Sequence, residues 1–108
     1  MANAHYTSYL ELILQAGLDL STVNVRYALV DLADYTFSAA HDFMNDVDVS
    51  GAVEGETSNL ASKTFTGGTF DAANPVFSSI SGDQCEALVL FRSTGTRSTE
   101  NVILFLDT

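Results

Sequence analysis

Residues 86–107 read EALVLFRSTGTRSTENVILFLD, and this stretch decides the fold of the 108-residue chain. Residues 86–92 and 101–107 are apolar at consecutive positions, which is typical of strands that are covered on both faces. Both segments are short and rich in β-branched and aromatic residues, so they favour strand over helix. The polar segment STGTRSTE between them predicts a hairpin with a long loop.

The rest of the chain alternates between helical spacing, strand patterns and turns. Residues 5–16 predict a helix, because apolar side chains recur there at three- and four-residue intervals before Gly17. Residues 23–32 alternate apolar and polar positions and predict a strand. Ser38 is a candidate cap for a short helix over residues 39–47. Residues 63–70 predict a hairpin around the pair Gly67-Gly68, and residues 76–80 predict a further short strand.

These elements predict one mainly β domain over residues 1–108. The expected architecture is a small antiparallel β-sandwich or partly open barrel of roughly six strands, with an N-terminal helix and a second short helix. The apolar last strand needs a neighbour, which is either the sheet interior or another subunit. Val102, Leu104 and Leu106 are therefore the candidate interface residues.

Composition excludes several classes of function. Fourteen acidic and four basic residues give a formal charge of −10, and the four bases are scattered along the sequence. Nucleic-acid binding needs clustered cations, so no nucleic-acid partner is expected. The apolar runs are far shorter than the roughly 20 residues of a membrane helix, and residues 1–9 do not resemble a signal peptide. The single cysteine favours a protein made in a reducing cytosol.

An acidic segment, NDVDVSGAVEGE at residues 45–56, begins like a calcium loop. Asp46, Asp48, Ser50 and Glu54 occupy ligand positions 1, 3, 5 and 9 of such a loop. Position 12, where a bidentate glutamate is required, is Thr57. The interpretation adopted is therefore a solvated acidic turn without a metal or other cofactor, and the alternative is a loose, weak cation site.

No motif predicts an enzyme. Cys85 is followed directly by Glu86, whose carboxylate disfavours the reactive thiolate. His5 and His41 lack the partners that nucleophilic catalysis needs and are interpreted as surface or packing residues. Asp31 and Asp34, in VDLADY, could be paired catalytic carboxylates, but aspartates in such a position more often cap turns.

An ordered series of motifs resembles a family of small virion proteins of tailed bacteriophages. The motifs are ALVDLADYTFSAAHDFMNDV at residues 28–47, LASKTFTGGTFDAANPVF at 60–77, SGDQCEALVLFRSTGTRST at 81–99 and ILFLDT at 103–108. The resemblance spans residues 10–107. It implies a structural component of the virion, such as a head decoration (cement) protein or a small head or tail accessory.

The resemblance and the composition together predict a structural protein that binds and stabilises a tailed-phage capsid. Its expected partners are the major capsid protein or other virion proteins, with self-association, as a trimer for example. Its expected location is the virion, after assembly in the host cytoplasm. One alternative is a tail or head-fibre accessory. Another, from a different class, is a carbohydrate-binding module, motivated by the acidic segment and by Tyr35.

Overall fold

The structure is a computed structural model and describes residues 4–15, 17–49, 51–65, 67, 72 and 87–106. Its strands form one antiparallel sheet of five strands, in the order β1-β5-β4-β2-β3. The strands are β1 (Ala4–His5), β2 (Val25–Val30), β3 (Val53–Glu56), β4 (Ala87–Arg92) and β5 (Val102–Leu106), and α1 spans Thr7–Leu14. The prediction of a mainly β, antiparallel domain is confirmed. Within the described ranges the strands form a single sheet, which does not close into a barrel.

The predicted hairpin of the last two apolar segments lies at the centre of the sheet. β4 pairs antiparallel with β5 on one side and with β2 on the other, so both segments and the strand predicted at residues 23–32 are confirmed. Ala28 lies opposite Val89, and Val89 lies opposite Phe105. All three are fully buried, so this row crosses the middle of the core.

The last strand finds its neighbours inside the sheet. Tyr6 continues the pairing of β1 with β5, because its N–H donates to the carbonyl of Ile103 at 3.1 Å. Val102 is fully buried, whereas Leu104 and Leu106 are partly exposed. Of the two neighbours considered for the last strand, the sheet interior is the one that this fold supplies.

Aromatic side chains cover the core face of β5. The ring of Phe105 stacks on Phe37 with a centroid distance of 4.7 Å and lies 6.4 Å from Tyr35. Tyr6 packs against Phe37 from the side of α1, with 5.1 Å between the ring centroids. The long connection between β2 and β3 therefore supplies the second layer of the core, in the place where a sandwich would have a second sheet.

Helix α1 confirms the predicted N-terminal helix, although it begins two residues later because His5 belongs to β1. The Thr7 N–H at its start donates to the carbonyl of Ala39 at 2.9 Å. The helix buries Tyr9 but leaves Leu10, Ile13 and Leu14 exposed. Residues at positions i, i+3 and i+4 share one helix face, so these three side chains form a continuous strip, called here the α1 strip.

The second helix that was expected over residues 39–47 does not form, so this prediction is wrong. Only a 3-10 turn forms there, at Met44–Asp46. The Met44 N–H donates to the carbonyl of Glu100 at 2.8 Å, and the Asp42 carbonyl accepts from Val102 at 3.1 Å. A helix would need the same backbone groups, so pairing with the loop before β5 competes with it.

Some predicted features lie wholly or partly outside the described residues. The strand at residues 76–80, Cys85 and Ser50 are outside them, and the hairpin at 63–70 is covered only in part.

The ammonium group of Lys63 donates to the carbonyls of Leu20 and Val23. Among the described helices, none has the length and apolar character needed to cross a bilayer.

Candidate functional site

An open concavity lies at one end of the sheet, where β2 begins and where β3 and β4 end. Its volume is about 890 Å³. Three of the four basic residues of the chain line it, namely Arg26, Arg92 and Arg97. The other lining residues are polar except for Val23 and Gly95, and they are Thr22, Val23, Asn24, Glu56, Asn59, Ser93, Thr94, Gly95 and Glu100. The basic residues are scattered along the sequence, but the fold brings three of the four together.

Arg97 is the centre of an ion-pair network on one wall of the concavity. Its Nε donates to Asp48 at 3.0 Å, its Nη1 donates to Glu100 at 2.9 Å, and its Nη2 donates to Glu56. The guanidinium also lies over the ring of Phe91, 5.7 Å from its centroid. Burial lowers the pKa of Arg97, but its bonds to the carboxylates outweigh that effect and raise the pKa above its usual value.

Glu100 is the most buried acid of this network, with a side chain only 4% exposed. Its second oxygen accepts the N–H groups of Thr94 and Gly95, both at 3.0 Å. Burial raises the pKa of Glu100, yet the bonds from Arg97, Thr94 and Gly95 lower it by more, so the net pKa lies below the usual value. Glu100 thus holds the β4–β5 loop closed in its ionised form.

Because the pKa of Glu100 is lower in the folded state than in the unfolded state, ionised Glu100 stabilises the fold. This stabilisation is present above the unfolded pKa of about 4.3 and is lost as the pH falls through the lower folded value. We expect Glu100→Gln to reduce the free energy of unfolding at pH 7, and we expect this deficit to shrink as the pH falls below about 4.3. Urea unfolding of both proteins across this range measures the effect, and a deficit independent of pH would contradict it.

The other two arginines are less completely paired. Arg26 donates through Nε to Asn59 at 2.8 Å and through Nη1 to Glu56 at 3.3 Å. Arg92 donates through Nη1 to the amide oxygen of Asn101 at 3.2 Å. No carboxylate within the described ranges forms an ion pair with Arg92. Since a guanidinium carries five N–H donors, Arg92 has donors that no group in the described part of the chain occupies.

Two of the candidate calcium ligands in the acidic segment have partners within the protein. Asp48 pairs with Arg97, and Asp46 accepts the backbone N–H of Asp42 at 3.3 Å. Glu54 lies on β3, beside Asp31 and Asp34, where one oxygen of each carboxylate is within 4.8 Å of the others. The segment is also more than a solvated turn, because it includes a strand and two of its acids neutralise Arg97.

Asp31 has the turn-capping role predicted for it. Its Oδ1 accepts the N–H of Ala33 at 2.9 Å, and its carbonyl accepts the N–H groups of Asp34 and Tyr35. The cluster of Asp31, Asp34 and Glu54 contains only carboxylates, and one oxygen of its buried member is already bound to backbone. The fold explains the position of Asp31 without a metal.

A chain of polar groups crosses the aromatic part of the core. The hydroxyls of Tyr6 and Tyr35 are 2.8 Å apart, and the Tyr35 hydroxyl lies 2.8 Å from Nδ1 of His41. Burial raises the pKa of both tyrosines. When Nδ1 of His41 is unprotonated, it accepts from Tyr35, and Tyr35 in turn accepts from Tyr6. Tyr35 is only 2% exposed, so it does not offer the ring surface that motivated the carbohydrate-binding alternative.

Removing the middle hydroxyl of this series of hydrogen bonds should lower the free energy of unfolding more than removing the hydroxyl at its end. Tyr35→Phe leaves the fully buried Tyr6 hydroxyl without its partner, at a cost of about 1–2 kcal/mol. Tyr6→Phe leaves the bond from Tyr35 to His41 intact and should cost less than about 1 kcal/mol. Thermal and urea unfolding of both variants tests the order, and a larger loss for Tyr6→Phe would show that the chain is polarised differently.

The concavity could not be identified from sequence because its parts are distant along the chain. Arg26 and Glu56 are separated by 30 residues, and Arg97 and Asp48 by 49 residues. The composition did contain a partial signal for ion pairs. With four basic and fourteen acidic residues, each base can be surrounded by carboxylates. Which acids approach which base depends on the order of the strands.

The chain was compared with models of protein families, with curated proteins and with solved structures. None of the three comparisons finds a match.

Proposed function

We propose that this protein is a structural component of a tailed-phage virion that binds the capsid and stabilises it. The proposal is supported by the ordered motifs that resemble small phage virion proteins and by a surface suited to adhesion. It places the protein on the outside of the head, in contact with the major capsid protein or another virion protein.

The α1 strip is the observation that carries this proposal. Leu14 is 87% exposed, and Leu10 and Ile13 are each almost half exposed. Contiguous exposed apolar side chains on one helix face are typical of a surface that is covered by a partner. Of the interface residues predicted on β5, Val102 is fully buried in the sheet, and Leu104 and Leu106 retain some exposure.

The distribution of charge supports an external position. The chain carries a formal charge of −10, and three of its four bases are gathered in the concavity, where acids surround two of them. The remaining surface is therefore strongly acidic. Packaged DNA repels such a surface, whereas the outer face of a shell leaves it in solvent.

Repetition on a symmetric shell would strengthen a weak contact. A single α1 strip offers a small apolar area, but many copies on one lattice bind with avidity. Self-association as a trimer at three-fold positions fits this requirement, since oligomers with closed symmetry repeat one interface.

The experiment is binding of the purified protein to capsids prepared without it, followed by heating and osmotic shock. We expect binding and greater resistance of the decorated particles. Leu14→Ser should weaken binding, because it places a polar group in the strip. Val49→Ser is the matched control, since Val49 is also an exposed apolar residue but lies outside the strip. Absence of binding, or unchanged resistance after binding, would refute the proposal.

A further inference from the structure

We propose that the concavity binds the carboxylate of an acidic side chain from a partner protein, with Arg92 as the principal contact. This inference rests on the proposed function and identifies a polar contact in addition to the apolar one made by the α1 strip. The site would accept an aspartate or glutamate that projects from the partner into the end of the sheet.

The position of Arg92 makes it available to a ligand. It is the last residue of β4, opposite Val25 at the start of β2, so its backbone is held by the sheet. Its side chain is partly exposed and lines the concavity. Its bond to Asn101 uses one nitrogen and orients the guanidinium. A planar guanidinium matches a carboxylate through two parallel N–H bonds, and that geometry adds specificity as well as energy.

The neighbouring groups add to the recognition of a carboxylate. Arg26, with a side chain 33% exposed, contributes a second positive charge to the same concavity. Ser93 follows Arg92 directly and lines the wall, and Asn24 and Asn59 line it as well. Hydroxyl and amide groups can donate to a carboxylate oxygen that Arg92 leaves unbound.

Local charge favours a carboxylate over a phosphate group. Arg26 and Arg97 are paired with Asp48, Glu56 and Glu100, so among the described residues Arg92 is the one arginine of the concavity without an ion pair. A single unpaired guanidinium compensates one carboxylate. A phosphate group near −2 would face uncompensated repulsion from Glu56 and Glu100, and a nucleic acid would bring many more charges. The concavity therefore fits one acidic side chain of a protein.

The proposal is tested on the full chain by following the Nε–Hε signals of its three arginines in ¹⁵N NMR spectra. The probes are the peptide acetyl-Gly-Glu-Gly-amide, the same peptide with Gln in place of Glu, sodium acetate and sodium phosphate. We expect the Glu peptide to shift the Arg92 signal saturably and the Gln peptide to leave it unchanged. Acetate should bind more weakly than the Glu peptide, because acetate has no backbone amides to pair with the Ser and Asn side chains that line the concavity.

Three variants separate the role of Arg92 from that of total charge. Arg92→Gln should weaken binding of the Glu peptide about tenfold or more, which corresponds to about 1.4 kcal/mol or more. Asn45→Asp is the matched control, because it makes the same change in net charge at an exposed position outside the concavity. Arg92→Lys, which keeps the charge without the planar fork, should give an intermediate loss.

The same variants are then measured for binding to capsids. Weaker capsid binding by Arg92→Gln, with Asn45→Asp unchanged, supports the proposal. If the wild type binds capsids and Arg92→Gln binds equally well, the carboxylate contact is refuted while the proposed function stands. If the wild type binds no capsid, the proposed function fails, and the peptide titration still decides the chemistry of the concavity. Tighter binding of phosphate than of the Glu peptide, or equal binding of acetate, would overturn the assignment to a protein side chain.

Discussion

Replacing Arg97 with methionine is expected to destabilise the protein by about 2–4 kcal/mol, although the substituted side chain is not fully buried. Asp48, Glu56 and Glu100 all bind this guanidinium, and the variant leaves their three negative charges close together. Removing one partner of a buried ion pair costs more than the pair itself contributes, because the remaining charge stays desolvated. Glu100, at 4% exposure, would account for most of the loss.

Arg26→Met is the matched control for Arg97→Met. Arg26 pairs with one carboxylate, at 3.3 Å, and its side chain is 33% exposed. Exposed pairs contribute about 0–1 kcal/mol, so this variant should lose much less stability. The deficit of Arg97→Met should also shrink as the pH falls through the lowered pKa of Glu100, because the wild type then loses the bond between ionised Glu100 and Arg97. Equal losses for the two variants at pH 7 would show that the network is not centred on Arg97.

Truncation of Phe105 to alanine is expected to have the largest effect of any single change, at about 3–5 kcal/mol. Phe105 is fully buried on β5, which lies between β1 and β4 in the sheet, and its ring packs against Phe37 and Tyr35. The variant loses the transfer free energy of the ring and leaves a cavity between the sheet and the β2–β3 connection. For a domain of this size, such a loss should lower the melting temperature by more than about 10 °C.

Leu14→Ala is the control for Phe105→Ala, since Leu14 is 87% exposed. Surface substitutions usually change stability by less than about 0.5 kcal/mol, so its unfolding curve should overlay that of the wild type. A small effect of Phe105→Ala would contradict the position of the aromatic layer against β5. A large effect of Leu14→Ala would instead indicate that the α1 strip is covered within the folded protein.

The sequence predicted those elements whose pattern is determined by local burial. The apolar runs of β4 and β5 and the alternation of β2 each reflect sheet faces that are covered, so the pattern and the fold agree. β3 was missed, because Val53–Glu56 has only one large apolar residue and lies at the edge of the sheet. The short helix at residues 39–47 was wrongly predicted, because local propensity cannot register backbone pairing with residues 100–102.

The sequence showed which residue types are scarce, but it did not show that they converge in one site. The scarcity of bases was visible, but the convergence of Arg26, Arg92 and Arg97 results from the antiparallel order of β3, β2 and β4. Strand order also turns two acids of the supposed metal loop, Asp48 and Glu56, into partners of Arg97. Spacing along a loop predicts a metal site only when the loop folds around a single point, and this one continues into a strand.

The most direct test of the proposed role is a reconstruction by electron cryomicroscopy of intact particles of the tailed phage that, under the proposal, encodes this chain. We expect density matching the five-stranded sheet on the outer face of the capsid, with the α1 strip against the shell. We also expect an acidic side chain of the neighbouring protein at Arg92. Density for this chain on the tail alone, or its absence from purified particles, would contradict the account.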